Sequence, residues 1–152
     1  MRRRLNEAVP SYTQNALAVP ESGIRRIHEI ALTLDDVVAL AVGEPDLPVA
    51  PHVLKAASAA WLADDTRYTA NGGIPPLRAA IAAKLRRDND MDVGAEQVWV
   101  TPGATEALYL ALGLILAPGD EVLIPDPGYT TFTMAPRMQF AEPVPYLSLI
   151  HI

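Results

Sequence analysis

The sequence predicts an α/β protein with a parallel sheet, and three observations support that prediction. The apolar runs at 37–42 and 98–101 have the composition of strands that are buried on both faces. An apolar helical pattern at 105–116 follows the second run after a short turn, and a third strand-like run follows at 121–125. Strand, turn, helix and strand in this order are typical of a crossover between parallel strands.

Composition narrows the possible classes of protein. The chain has 152 residues, 50% hydrophobic and 20% charged, which suits a globular domain with a sizeable core. The net charge of -6 argues against a nucleic-acid binder, and the absence of cysteine excludes disulfides and thiolate metal sites. No run approaches the ~20 apolar residues of a membrane span, and the basic start lacks the apolar stretch of a signal peptide. We therefore expect a cytoplasmic protein that binds neither nucleic acid nor membrane.

The remaining elements follow from local signals. Residues 1–20 show no clear period and are interpreted as an extended arm. Ser22 is a suitable N-cap for a short helix with isoleucines on one face. Pro51 and Pro75 each predict the start of a helix, because proline is favoured in the first turn of a helix. A polar, glycine-containing loop at 66–73 separates those two helices.

The turn at Gly103-Ala104-Thr105 is the strongest local signal for chemistry. A strand that enters a small-residue turn and then a helix directs free backbone N–H groups and the positive end of the helix dipole to one place, where a phosphate would fit. Taken alone, the segment is more typical of a plain strand-to-helix turn with Thr105 as a cap. It matches neither a dinucleotide-binding fingerprint nor a Walker loop.

Three further residues are candidates for binding a ligand. Gly43 follows the first apolar run, where its N–H is accessible to a substrate carboxylate, although turns of this composition are common. Tyr68 lies in the glycine-containing loop and has a hydroxyl to offer a ligand, or simply anchors the loop. Tyr129 follows a strand end, where ligands of open α/β sheets bind, and either stacks on a flat ring or packs in the core.

The order of these motifs is more specific than any one of them. Between about Ser22 and Tyr146, the chain resembles the class I aminotransferases of PLP fold type I, the aspartate aminotransferase superfamily. The resemblance is carried by Gly43-Glu44-Pro45-Asp46, Tyr68-Thr69 with Gly72, Gly103-Ala104-Thr105-Glu106-Ala107, Pro118-Gly119-Asp120-Glu121-Val122 and Pro127-Gly128-Tyr129.

The resemblance implies a three-layer α/β fold, a pyridoxal 5'-phosphate cofactor and amino-group transfer between an amino acid and a 2-oxo acid. It assigns Gly103, Ala104 and Thr105 to the cofactor phosphate and Tyr129 to the pyridine ring. Gly43 corresponds to the glycine near the substrate carboxylate. Tyr68 matches the tyrosine that reaches the phosphate of the other subunit, so the intact protein is expected to be a homodimer. Tyr129 is therefore expected to lie within reach of the phosphate turn.

The family also needs a lysine that holds the cofactor as a Schiff base. This chain has only Lys55 and Lys84, and neither matches the family's position, so we assign no catalytic residue and no metal ligand and expect an inactive fragment. Residues 1–47 are interpreted as the arm and the start of the small domain, 48–146 as the first part of the large domain, and 147–152 as a non-native tail.

The sequence leaves two other functions open and argues against a third. The same front half occurs in PLP-dependent lyases and synthases, and the chain is also compatible with a non-catalytic aminotransferase-like module. A transcription regulator with such a domain would need a DNA-binding domain upstream, and the residues before Ser22 are too few for one.

Overall fold

The computed structural model describes residues 11–151 of the chain. The first half of the expected arm at 1–20, with its basic start, and the final residue of the expected tail fall outside this range. The described helices and strands are α1 (Gln14–Leu17), α2 (Gly23–Ala31), α3 (Pro51–Leu62), α4 (Pro75–Asn89), α5 (Gly103–Ile115), β1 (Glu121–Asp126), α6 (Thr131–Met138) and β2 (Glu142–Leu147). Within that range no helix has the length and apolar composition that a membrane crossing requires.

The helix starts agree with the local signals in the sequence. The Ser22 side chain accepts a hydrogen bond from the Arg25 amide at 3.4 Å, so Ser22 is the N-cap of α2. Pro51 and Pro75 occupy the first positions of α3 and α4, as predicted. The arm is not wholly extended, because Gln14–Leu17 form one helical turn that ends at Ala18.

The chain divides into two compact units, which are described separately. The first unit combines the chain up to Ala41 with the chain from Ala104 onward, and the second unit is Val42–Gly103. In the first unit, β1 and β2 pair in parallel from Glu121 opposite Glu142 to Asp126 opposite Leu147. Helix α6 connects the two strands and packs against both. The crossover between parallel strands is therefore β1–α6–β2.

Small side chains form the buried centre of the first unit. Ile124 on β1 is buried, as are Thr131, Ala135 and Pro136 on α6, the helix that packs against β1. The buried Ala141 follows the turn that leads from α6 into β2. The backbone amide of Ser148 donates to the Asp126 carbonyl at 2.9 Å, which extends the pairing one residue beyond β2.

Two predicted strands are wrong. Residues 37–42 and 98–101 form no strand, and Val38 and Leu40 of the first run are 81% and 88% exposed. A strand needs a hydrogen-bonded neighbour, and β1 and β2 pair only with each other in the described chain. Apolar composition alone therefore does not identify a strand, because it does not show which segment would pair with it. The crossover predicted to run from 98–101 to 121–125 is therefore also wrong.

In the second unit, Arg78 ties α4 to the segment that precedes α5. Its Nε donates to the carbonyl oxygens of Ala95 and Val98 at 3.0 and 2.9 Å. Gly73 has a φ of +97°, and a β-carbon there would lie 2.7 Å from Val100 Cγ2. The amide of Val100 donates to the Gly72 carbonyl at 3.1 Å, so the loop before α4 is held by the chain that leads to Gly103.

Candidate functional site

The amino end of α5 begins at a glycine whose conformation favours that residue. Gly103 has a φ of +79°, in the region that L side chains rarely adopt, and its N–H donates to the Thr101 carbonyl at 2.8 Å. The Thr101 hydroxyl in turn donates to the Gly103 carbonyl at 2.9 Å. These two bonds hold the turn in shape, and they engage the Gly103 amide within the protein.

The next two amides are available to a ligand. The described residues provide no hydrogen-bond acceptor for the N–H groups of Ala104 and Thr105, which belong to the first turn of a 13-residue helix. Both residues are exposed. Two unpaired amides, a hydroxyl and the positive end of the helix dipole suit a phosphate group. Of the three residues predicted to bind the phosphate, Ala104 and Thr105 therefore present donors, whereas the Gly103 amide is already hydrogen-bonded.

Tyr129 lies beside this helix end. Its hydroxyl oxygen is 3.5 Å from Thr105 Oγ1, and either atom has the chemistry of a donor. The Tyr129 ring also meets Phe132 edge to face, with ring centroids 5.8 Å apart and planes at 89°. The ring is 49% exposed, so part of its surface is open to a flat ligand. The structure thus brings together Thr105 and Tyr129, two residues that the sequence assigned to one site.

The surroundings of Tyr129 stabilise its ionised form. Hydrogen bonding to Thr105 is the largest cause that lowers the pKa of Tyr129, followed by hydrogen bonding to Thr131, with a smaller contribution from the positive charge of Arg25. Desolvation acts in the opposite direction. Arg25, Thr131 and Phe132 were not predicted as site residues. The sequence gives a clue only for Thr131 and Phe132, which follow Tyr129 by two and three positions.

Two predicted site residues lie in the other compact unit. Tyr68 is fully exposed, with a relative accessibility of 107%, and therefore makes little contact with the rest of its own unit. Gly43 is also exposed, and a β-carbon at this position would meet no atom within 4 Å. The described chain therefore gives no steric reason for a glycine at 43.

Neither lysine lies in a chemically unusual environment. Lys55 is exposed on α3, and Lys84 Nζ donates to Asn89 Oδ1 at 2.6 Å on α4. Among the described residues, no group of three or more histidine, cysteine, aspartate or glutamate side chains is arranged to hold a metal ion.

Comparison with known sequences gives consistent matches over most of the chain. A family model described as aminotransferase class I and II matches residues 35–149. An aspartate aminotransferase of Pyrococcus horikoshii is 37% identical over 131 residues, which are 86% of this chain and 34% of that protein. The aspartate aminotransferase of Streptomyces avermitilis is 44% identical over 109 residues, 71% of this chain and 27% of that protein. The chain thus spans about a third of the length of these curated relatives.

Solved structures of aminotransferases also match most of the chain. The aspartate aminotransferase of Thermus thermophilus with maleate superposes with a TM-score of 0.87 at 33% identity, over 94% of this chain and 38% of that one. N-Succinyldiaminopimelate aminotransferase of Mycobacterium tuberculosis superposes with a TM-score of 0.82 at 31% identity, over 90% of this chain and 36% of that one. The expected fold class is confirmed.

Proposed function

The chain belongs to the class I and II aminotransferase family, and we propose that its protein moves an amino group between an amino acid and a 2-oxo acid. Members of the aspartate aminotransferase family use pyridoxal 5'-phosphate, and we propose the same cofactor here. One observation carries the proposal beyond family membership. The Thr105 hydroxyl, at a helix end with two unpaired amides, lies 3.5 Å from the hydroxyl of the half-exposed Tyr129.

Residues at the start of α5 and after β1 would hold the cofactor at two points. The amides of Ala104 and Thr105, with the Thr105 hydroxyl, would bind its phosphate, while Gly103 shapes the turn. Tyr129 would cover the pyridine ring, because an edge-to-face contact with Phe132 positions its ring and about half of its surface is exposed. When bound, the cofactor supplies the electron sink for the reaction, and the protein supplies orientation.

Roles for Gly43 and Tyr68, which lie in the second unit, are proposed separately. We propose that Gly43 lies near the substrate carboxylate and that Tyr68 reaches the cofactor phosphate of the other subunit of a homodimer. The nearly complete exposure of Tyr68 supports this role, since a tyrosine ring without partners in its own unit is suited to a contact with another subunit.

We further propose that residues 1–152 alone do not catalyse the transfer. Family chemistry requires a lysine that reaches the cofactor. The two lysines of this chain are exposed helix residues, and Lys84 is hydrogen-bonded to Asn89. Sodium borohydride treatment with pyridoxal 5'-phosphate should therefore leave no stoichiometric, saturable adduct at either lysine.

The proposed function is tested on the protein as its gene encodes it. The purified protein is loaded with pyridoxal 5'-phosphate and incubated with L-aspartate and a 2-oxo acid, and both the new amino acid and the new oxo acid are quantified. Equal amounts of the two products are expected. Cofactor binding with release of ammonia or of a side-chain fragment would instead indicate a lyase, and failure to bind the cofactor would contradict the proposal as a whole.

A further inference from the structure

The hydroxyl of Thr105 has one proton for two neighbours. A threonine hydroxyl donates a single hydrogen bond and accepts up to two, and a phosphate dianion only accepts. Thr105 Oγ1 lies 3.5 Å from the Tyr129 hydroxyl oxygen and belongs to the same helical turn as the unpaired Ala104 and Thr105 amides. If the Thr105 proton goes to the phosphate, the Thr105 oxygen is left with only acceptor capacity toward Tyr129.

We propose that the Tyr129 hydroxyl donates to Thr105 Oγ1 and thereby directs the Thr105 proton to the cofactor phosphate. The inference rests on the proposed function and adds a second role to Tyr129. In addition to covering the ring of the cofactor, Tyr129 positions the hydrogen bond that Thr105 makes to the phosphate. The two ends of the cofactor are then held by one connected pair of side chains.

The packing of Tyr129 suits this role. Phe132 contacts the Tyr129 ring edge to face, at a centroid distance of 5.8 Å, and it lies one turn along the chain from Tyr129. Thr105 contacts the ring at its hydroxyl. Contacts at the ring and at the hydroxyl restrict rotation of the side chain, so the phenol oxygen is held near Thr105. A hydrogen-bond network of this kind is stronger when the direction of each donor is fixed, because linked hydrogen bonds polarise one another.

The test compares two ligands that differ only in the phosphate. Affinities for pyridoxal 5'-phosphate and for pyridoxal are measured by titration of the gene-encoded protein and of the Tyr129→Phe variant, which retains the aromatic ring. We expect Tyr129→Phe to weaken binding of the phosphorylated ligand about two- to tenfold, the range for one hydrogen bond, and to leave pyridoxal binding unchanged. Thr105→Ser should retain the preference for the phosphorylated ligand, whereas Thr105→Val should reduce it.

A double-mutant cycle gives the second readout. In the Thr105→Val background, Tyr129→Phe should cause no further loss, because the hydroxyl through which it acts is gone. If Tyr129→Phe changes the affinities for both ligands equally, changes neither, or still acts in the Thr105→Val background, the inference is wrong while the proposed function stands. A wild-type protein that binds neither ligand would overturn both. If a circular-dichroism melt shows that the Tyr129→Phe variant is unfolded, Tyr129→Trp is used in its place, because tryptophan also provides a ring without that hydroxyl.

Discussion

The hydroxyl oxygens of Thr105 and Tyr129 lie 3.5 Å apart, although 24 positions separate the two residues in the chain. The contact joins the amino end of α5 to the segment that follows β1, within one compact unit. It places a hydroxyl pair beside two unpaired backbone amides. Except where the 152-residue chain is named, each variant is made in the protein as its gene encodes it.

The first prediction concerns ionisation of Tyr129. In the cofactor-free protein the Thr105 hydroxyl is free to donate to the Tyr129 oxygen and is the largest cause that lowers the Tyr129 pKa, so Thr105→Val should raise that pKa toward the ordinary value of 10.0. Thr105→Ser should leave it lowered. Arg25→Met should raise it less than Thr105→Val, because the Arg25 charge is the smallest contribution. The measurement is an ultraviolet titration of each variant, with Tyr129→Phe identifying the signal. A larger rise in Arg25→Met would contradict this order.

The second prediction concerns the loop before α4. Gly73→Ala should lower the free energy of unfolding by about 1–3 kcal/mol, because the φ of +97° is strained for alanine and the new β-carbon would lie 2.7 Å from Val100 Cγ2. Gly23→Ala is the matched control, since a β-carbon there meets no atom within 4 Å. Urea denaturation should show that the control is as stable as the wild type or slightly more stable. Equal destabilisation by both changes would contradict the structure at Gly73.

The third prediction concerns Arg78, which bridges α4 and the chain before α5. Arg78→Met keeps the aliphatic stem but removes the donor to the Ala95 and Val98 carbonyls, so the free energy of unfolding should fall by about 1–3 kcal/mol. Arg26→Met, at an exposed position on α2, controls for the loss of a positive charge. Urea denaturation of both variants measures the difference, and an equal effect of the two would show that charge alone matters.

The helices were predictable from sequence because their signals are local. Ser22, Pro51 and Pro75 each act within one turn of the chain, and each stands at the start of a helix. The strands were less predictable, because pairing depends on distant residues. The runs at 37–42 and 98–101 have no strand partner in the described chain, while β2 was not assigned as a strand. Its prolines at 143 and 145 argue against a strand in a sequence, although prolines are accepted in edge strands.

The site was predicted in part for a similar reason. The order of motifs led to Thr105 and Tyr129, and the structure places their hydroxyls together. No pattern in the sequence shows that Arg25, from α2, contributes positive charge near Tyr129, because this relation depends on how the chain folds over about a hundred residues. Phe132 was missed because α6, which contains a proline at 136, was not assigned as a helix.

The fourth prediction concerns solubility of the 152-residue chain. Helix α5 has no buried residue, and its Leu114 and Ile115 are 86% and 73% exposed, as is Leu123 on β1 at 72%. Burying one large apolar side chain stabilises a fold by about 1.5–3 kcal/mol. The stabilisation lost when three of them stay exposed is therefore comparable with the ~5–15 kcal/mol stability of a typical domain. We expect this chain to aggregate or to form a molten species that binds a hydrophobic dye.

A single substitution tests the cause of that behaviour. Leu114→Glu should increase the soluble fraction more than Ser58→Glu, which adds the same charge at an exposed polar position of α3. Soluble fractions after centrifugation give the comparison. A soluble wild-type monomer with a sharp cooperative melt and a dispersed amide spectrum would contradict the prediction.

The amino end of α5 is the proposed binding site for the phosphate of the cofactor. A nuclear magnetic resonance titration tests this proposal by following the backbone amides of Ala104 and Thr105 while pyridoxal 5'-phosphate or pyridoxal is added. We expect pyridoxal 5'-phosphate to shift both amides strongly, with Thr101 as a less affected neighbour, and we expect pyridoxal to shift neither. Saturable binding of pyridoxal 5'-phosphate that leaves both amides unshifted would contradict it.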